Sequence, residues 1–199
     1  MVSNSQRCNK IGGSTNSAFL ALIPKEKEAK SFDRFRPISL CNIGYKVITE
    51  IIASRLKHIL PRIIPENQGG FFKGRKIWEN IILTQEAINS SLKNGDQGMV
   101  VKIDLANAFD RVSHPFLLQV MQKFGFSSEF ISWIKACISK PWIAPLINGR
   151  AASFFQASRG LRQGCSLSPL LYAIQASVLS FQRENARLKQ DLLGIRMAR

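Results

Sequence analysis

The sequence predicts an α+β fold, and three observations carry that prediction. Apolar residues recur every three or four positions through two long segments, which is the helical period. Several shorter runs are continuous or alternating and are closed by Pro, Asn or Gly, as strands are. The helical and strand-like segments are interleaved with tight turns of the antiparallel kind and not with the regular alternation of a parallel sheet. At 199 residues, 45% hydrophobic and 21% charged, the chain is long enough for one domain, or for one and part of another.

Residues 1–18 are rich in Ser, Asn and Gly and are expected to be a disordered lead. Phe19-Leu20-Ala21-Leu22-Ile23 reads as a buried strand closed by Pro24. The alternating charges of residues 25–35 read as a loop or hairpin tip, and Arg36-Pro37-Ile38-Ser39-Leu40 as a second extended segment. Tyr45, Ile48, Ile52, Leu56 and Ile59 mark one face of an amphipathic helix over residues 45–60, ended by Pro61, with His58 on the solvent side. Ile77, Ile81, Ile88 and Leu92 mark a second helix over residues 77–92, stopped by Asn94-Gly95. Between the two lies QGGFFKGR, residues 68–75, a basic turn punctuated by glycine.

The β-branched run 98–103 follows the turn signal Asn94-Gly95-Asp96 and is expected to be a strand delivering Asp104 at its end. Pro115 sits where a first helical turn favours it, so a helix is expected from His114 through Phe124. A short helix is expected over residues 129–138. A β-hairpin is expected from residues 142–147 and 152–156 around Asn148-Gly149, with Pro145 suited to an edge strand. Residues 159–165 form a loop, and Ser168-Pro169 opens a helix to about residue 192.

Lys and Arg number 28 against 13 Asp and Glu, a net charge of +15 with pI near 10.2, spread along the chain. A distributed basic field favours a polyanion, nucleic acid first, although a generic basic protein or a binder of acidic membranes has the same balance. Cys8, Cys41, Cys137 and Cys165 are far apart, which gives neither a zinc pattern nor a disulfide framework. No apolar run reaches membrane-spanning length, and the polar start lacks the apolar core of a signal peptide, so an intracellular location is expected.

The chemistry concentrates in KIDLANAFDRV, residues 102–112. A carboxylate at the end of an apolar strand is presented at the lip of a sheet, where it can serve a metal; the same placement also fits a helix N-cap or a surface acid. Five segments in order extend the picture: LIPK (22–25), FRPISL (35–40), QGGFFKGR with WENI behind it, KIDLANAFDRV, and RGLRQGCSLSPLLY (159–172). Together they resemble a reverse transcriptase, and more narrowly the polymerase of LINE-type, non-LTR retrotransposons such as those of plant genomes. The resemblance runs from about Phe19 to the end of the chain.

That resemblance implies an RNA-directed DNA polymerase working by two-metal nucleotidyl transfer with Mg2+ or Mn2+, on an RNA template, a DNA primer and deoxynucleoside triphosphates. It implies the fingers and part of the palm of a right-hand polymerase. Residues 19–97 would be fingers and 98–199 an incomplete palm, with about 114–157 returning to the fingers. Asp104 would be the catalytic metal-binding acid, Leu105 a main-chain metal ligand, and Phe109 the aromatic gate against a ribose 2′-hydroxyl. Lys25 and Arg36 would grip the triphosphate, and Gln163 and Gly164 would let the backbone approach the nucleotide and templating base. Gln68, Gly69, Lys73, Gly74 and Arg75 would touch template backbone, and Phe71 or Phe72 could stack on bases. Asp110 would be structural, pairing with an Arg or capping the next helix. A nuclear location follows from the same resemblance.

The sequence departs from the family in places. Asn107 stands where Lys is common, and Cys165 where an acid or a cysteine is seen. The family's third palm motif, an aromatic-Ala-Asp-Asp hairpin, has no counterpart: no adjacent Asp pair exists in the chain, and after Leu170 the only acids are Glu184 and Asp191. The expectation is therefore a truncated polymerase without a thumb, inactive by itself, of marginal stability and prone to aggregate. The alternatives are a non-catalytic nucleic-acid-binding remnant and an intron-maturase-like protein. A hydrolase built on Asp104, Ser113 and His114 is set aside, because no nucleophile-elbow pattern surrounds the serine.

Overall fold

A mixed sheet and a layer of helices share one apolar core in the computed structural model, which describes residues 2–95 and 99–190. The sheet is built from β1 (Ser17–Pro24), β2 (Phe35–Cys41), β3 (Trp142–Ile147) and the short β4 (Arg150–Ala151) and β5 (Phe155–Gln156). Its order is β2-β1-β3-β4, with β5 also on β3. β1 and β2 are antiparallel, joined through a 3-10 turn at Phe32–Arg34, whereas β1 and β3 are parallel and their connection contains four of the helices. This is the α+β class expected.

The helices are α1 (Val2–Cys8), α2 (Ile43–Ile63), α3 (Ile77–Asn94), α4 (His114–Lys123), α5 (Ser128–Ile138) and α6 (Ser168–Leu188). The core is carried by α2, α4, α5 and α6, with Ile48, Ile52, Leu56, Leu60, Leu117, Met121, Trp133, Ile134, Leu171 and Ile174 fully buried. Each such aliphatic side chain contributes about 1.5–3 kcal/mol when removed from water. The period of α2 is as expected, but its seam runs through Leu60 and not Ile59, which is exposed. α2 also continues past Pro61 to Ile63, where Arg75 takes up the carbonyls that a helix end leaves free.

Several expectations are corrected. Residues 2–16 are not a loose lead: α1 packs Ser5 against α5, where the Trp133 Nε1 donates to its Oγ at 3.3 Å. Asn16 is buried, and its side-chain nitrogen donates to the Ser139 carbonyl at 3.2 Å. The strand expected before Asp104 carries no ladder, and Met99, Val100, Val101, Ile103 and Leu105 are exposed; a β-branched run becomes a strand only beside a partner, and none pairs with it among the described residues. α3 has its expected period and its stop at Gly95, which is left-handed at φ +68°, yet Ile77, Ile81 and Leu92 face solvent. Asp96 and Gly98 of the expected turn and strand, and the last residues of the helix expected to reach 192, lie outside the described residues.

Pro145 is also corrected: β3 is an interior strand, between β1 and β4 with β5. Leu146 faces Ala151 and Ile147 faces Arg150, but Ile143 faces Phe155 and Trp142 faces Gln156, so the returning strand holds one extra residue opposite Pro145. That is a bulge, one of the few sheet positions that tolerate proline. The turn itself is as expected, with Asn148 and Gly149 at φ +50° and +77°, the pair that a type I′ hairpin requires.

Candidate active site

Three backbone segments converge at the candidate site. Residues 107–112 form a turn in which the Asp110 and Arg111 amides donate to the Asn107 carbonyl. The loop 159–165 is laid against that turn: the Gly160 amide donates to Val112 at 2.9 Å and the Leu161 amide to Phe109 at 2.8 Å. Gly160 is left-handed, and a Cβ there would stand 3.0 Å from the Asp110 carbonyl, so only glycine permits this approach. His114, buried at the start of α4, donates from Nε2 to the Gly160 carbonyl at 2.8 Å, which fixes its tautomer, while Ser113 caps the same helix. These roles are structural and agree with setting the hydrolase aside.

On its other side the loop is fastened to β2. The Ser39 amide donates to the Gln163 carbonyl at 2.7 Å, and Gly164, at φ +101°, lies so close that a Cβ would meet the Ser39 carbonyl at 3.0 Å. The close neighbour that requires glycine here is the protein's own strand. A cleft of about 270 Å³ opens beside this junction, lined by Leu20, Pro37, Ser39, Asp110, Arg159 and Gln163 among others. Burial pushes the half-buried Asp110 carboxyl above its ordinary value, and the positive charge of Lys25 pulls the other way.

Asp104 lies in the exposed stretch before the turn, and Leu105 is exposed beside it. The Tyr172 hydroxyl on α6 is held above its ordinary value, first by burial and then by the negative charge of Asp104, which places that acid within electrostatic reach of α6. Tyr172 stacks on Phe109 with ring centroids 5.0 Å apart, and Phe109 meets the edge of Phe71 at 6.4 Å. Lys25 belongs to the β1–β2 connection, where its Nζ donates to the Asp33 carbonyl at 2.8 Å; Arg36 stands exposed on β2 opposite Ile23.

The turn 68–75 divides the residues expected on the template. Arg75 gives its guanidinium to the carbonyls of Pro61, Ile64, Pro65 and Gln68, at 2.8–3.0 Å, and lies over the Phe72 ring at 4.8 Å. Its two terminal nitrogens tie the end of α2 to the turn that follows it. Gly69 is packed against Asn80 and Ile77 of α3, whereas Gly74 is open and left-handed at φ +87°. Lys73 is exposed and lines a groove with Lys57, His58 and Phe71, and although Lys57 pairs with Glu50 at 3.4 Å, this is a basic surface of the kind that meets a polyanion.

Sequence reasoning did not single out Arg162 or Tyr172. Arg162 is buried, donates from Nη2 to the Asn16 carbonyl at 2.8 Å and to its side-chain oxygen at 2.5 Å, and lies 4.0 Å from the centre of the Tyr45 ring. Burial raises the neighbouring thiol of Cys41 and drives that of Cys137 up to about 12, so neither is a nucleophile at neutral pH. Tyr172 was legible in principle: it follows Ser168 by one helical turn and so projects from the same end of α6 as the loop.

As to metal, no three His, Cys, Asp or Glu side chains gather among the described residues. Asp104 is exposed. No helix among the described residues is long and apolar enough to cross a membrane.

Comparison with known proteins matches residues 23–192 to the family described as reverse transcriptase (RNA-dependent DNA polymerase). The uncharacterized 149 kDa protein of transposon TX1 from Xenopus laevis is 30% identical over 161 residues, covering 81% of this chain and 12% of that protein. The Pol polyprotein of the type-2 retrotransposable element R2DM from Drosophila melanogaster is 26% identical over 168 residues, covering 83% and 15%. The probable RNA-directed DNA polymerase from transposon BS, also of Drosophila melanogaster, is 28% identical over 160 residues, covering 79% and 18%. The chain thus spans under a fifth of the length of each of these relatives.

Proposed function

The chain belongs to the reverse transcriptase family, and from that premise we propose that it is a fingers-and-palm portion of a LINE-type retrotransposon polymerase whose work is RNA-templated DNA synthesis. Its relatives come from non-LTR elements, and the wording of FRPISL and QGGFFKGR favours a retrotransposon over an intron-maturase-like protein; the element is proposed to be of the plant kind. Residues 19–97 are assigned to the fingers and 98–199 to the palm, with about 114–157 returning to the fingers; the pairing of β3 with β1 supports that return.

The observation that carries the reading is the convergence at Phe109: its ring stacks on Tyr172, its carbonyl holds the loop of Gln163, and Asp104 is close enough to bias Tyr172. In this reading Asp104 and the Leu105 carbonyl hold a divalent ion, Mg2+ or Mn2+, of the kind that polymerases of this family generally use. When bound, that ion would supply charge for a triphosphate. Phe109 excludes the ribose 2′-hydroxyl, and Gln163 and Gly164 border the nucleotide. Lys25 and Arg36 approach the phosphates from the fingers, and Gln68, Gly69, Lys73 and Gly74 line the template path. Nuclear residence suits a protein whose product enters DNA.

The 199 residues contain one matched carboxylate and no adjacent acidic pair, so on their own they are assigned binding without synthesis. Primer extension by the purified chain on an RNA template, with Mg2+ or Mn2+ and an Asp104→Ala control, tests this. No extension, with RNA binding that weakens as salt rises and survives Asp104→Ala, is the expected result. Extension lost in the control means that further acids complete the site, and it overturns the proposed inactivity. A second reading, a non-catalytic nucleic-acid binder, is favoured by the +15 charge. It differs in predicting no preference between deoxy- and ribonucleotides.

A further inference from the structure

Phe71 has a backbone that an aromatic residue rarely adopts: φ is +71°, the left-handed region that favours glycine. Glycines stand at 69, 70 and 74 of the same turn, yet this position carries a bulky ring. Burial does not account for it, because Phe71 is 52% exposed. The turn around it is held by the four Arg75 hydrogen bonds and by buried Phe72, so its strained conformation is imposed from a fixed base. From that base the ring meets Phe109 edge-on, at 89° and 6.4 Å between centroids, a favourable aromatic geometry. Phe109 needs such support. The residues before it carry no ladder, and beyond the Leu161 bond to its carbonyl its ring is in contact with Tyr172 and Phe71.

We propose that Phe71 is a positioning residue for the Phe109 ring, a brace from the fingers turn that sets how closely a nucleotide sugar can approach. This rests on the reading of Phe109 as the gate against the 2′-hydroxyl. Strain at Phe71 then has a purpose: it aims a ring that a relaxed turn would point elsewhere.

Equilibrium dialysis of the full chain with dATP and with ATP, in Mg2+, tests both layers, using Phe71→Gly, Phe71→Ala and Phe109→Ala. The parent is expected to prefer dATP, and Phe109→Ala to level the two affinities. Phe71→Gly should lower the preference by about 2- to 10-fold, the range of one aromatic pair. Its melting temperature should be unchanged or higher, since glycine suits the backbone. Retention of the parent ratio in both Phe71 variants, while Phe109→Ala levels it, overturns the brace and leaves the gate standing. Unfolding of Phe71→Gly also overturns it, by making Phe71 an anchor of the fold. Equal affinities in the parent, absence of binding, or an unchanged ratio in Phe109→Ala refutes the gate and the brace with it.

Discussion

Gly164→Ala separates two ways in which a glycine can be required. At φ +101° an alanine meets the backbone penalty of the left-handed half of conformational space, about 1–2 kcal/mol. Its Cβ would also stand 3.0 Å from the Ser39 carbonyl, a backbone atom of β2 that cannot swing aside. Relieving that contact means moving the loop off β2 and stretching the 2.7 Å bond from Ser39 to Gln163, which adds about 1–3 kcal/mol. The expected loss is about 3 kcal/mol, or about 6–12 °C in melting temperature for a domain of this size. Gly149→Ala is the control, left-handed at φ +77° with nothing within 4 Å of the new methyl, so only the backbone cost remains. Gly12→Ala, open and without a positive φ, should be neutral or slightly stabilising. Urea unfolding followed by circular dichroism ranks the three. Equal losses for Gly164→Ala and Gly149→Ala would refute the claim that the loop is seated on β2.

Arg75→Ala should cost about 2–4 kcal/mol in urea unfolding, because it strips donors from four carbonyls at the end of α2 and in the turn behind it. Lys73→Ala, by contrast, should leave stability within about 0.5 kcal/mol and reduce the salt slope of RNA binding by about one; equal salt slopes for the two variants would undo the division of labour in that turn. Asp110→Asn should be at least as stable as the parent at pH 7. Its folded carboxyl is raised above the ordinary 3.8, so ionisation in the fold is penalised above the folded value, and the variant's advantage should fade as pH falls through that value toward 3.8. Urea midpoints of both proteins at several pH values check the sign. Asn16→Ala should loosen the first strand's entry, seen as faster amide exchange at Trp142, since it removes the side-chain oxygen that accepts from Arg162 and the side-chain nitrogen that donates to Ser139, the two bonds that hold the backbone carbonyl in place for the Trp142 amide; unchanged exchange there would show that the strand's entry is held by other contacts.

The sequence makes legible whatever is decided locally. The seam of α2, the stop of α3 at Gly95, the start of α4 at Pro115 and the Asn148-Gly149 turn each follow from a period or from a backbone preference of one or two residues. Ordered motifs likewise identified the family to which residues 23–192 match. What stayed hidden is set by distant partners. Lys73 and Arg75 are both cations in one glycine-rich turn, and only the fold shows that the planar fork of Arg75 meets the carbonyls of α2. Gly164 is pressed against Ser39, 125 positions earlier in the chain, and nothing near it in sequence announces that contact. Arg162 drew no separate reading, yet it is buried over Tyr45. The polar composition of residues 1–18 suggested disorder because nothing local announces that Ser5 and Asn16 will find partners in α5 and the Arg162 loop.

The stretch before Asp104 shows how far composition can mislead when its partner is not at hand. Val100, Val101 and Ile103 are residues that pack well in sheets, and here they are exposed, as are Ile77, Trp78, Ile81 and Ile82 of α3. Apolar, β-prone surface of this kind invites pairing between chains more than it stabilises one chain. A charge placed there should therefore change association and not folding. Val100→Lys, at a position 62% exposed, is expected to reduce light scattering and sedimentation of oligomers at equal concentration, with melting unchanged within about 0.5 kcal/mol. A melting temperature lower by several degrees would mean that Val100 is covered in the folded chain, and that the segment before Asp104 is a paired strand after all.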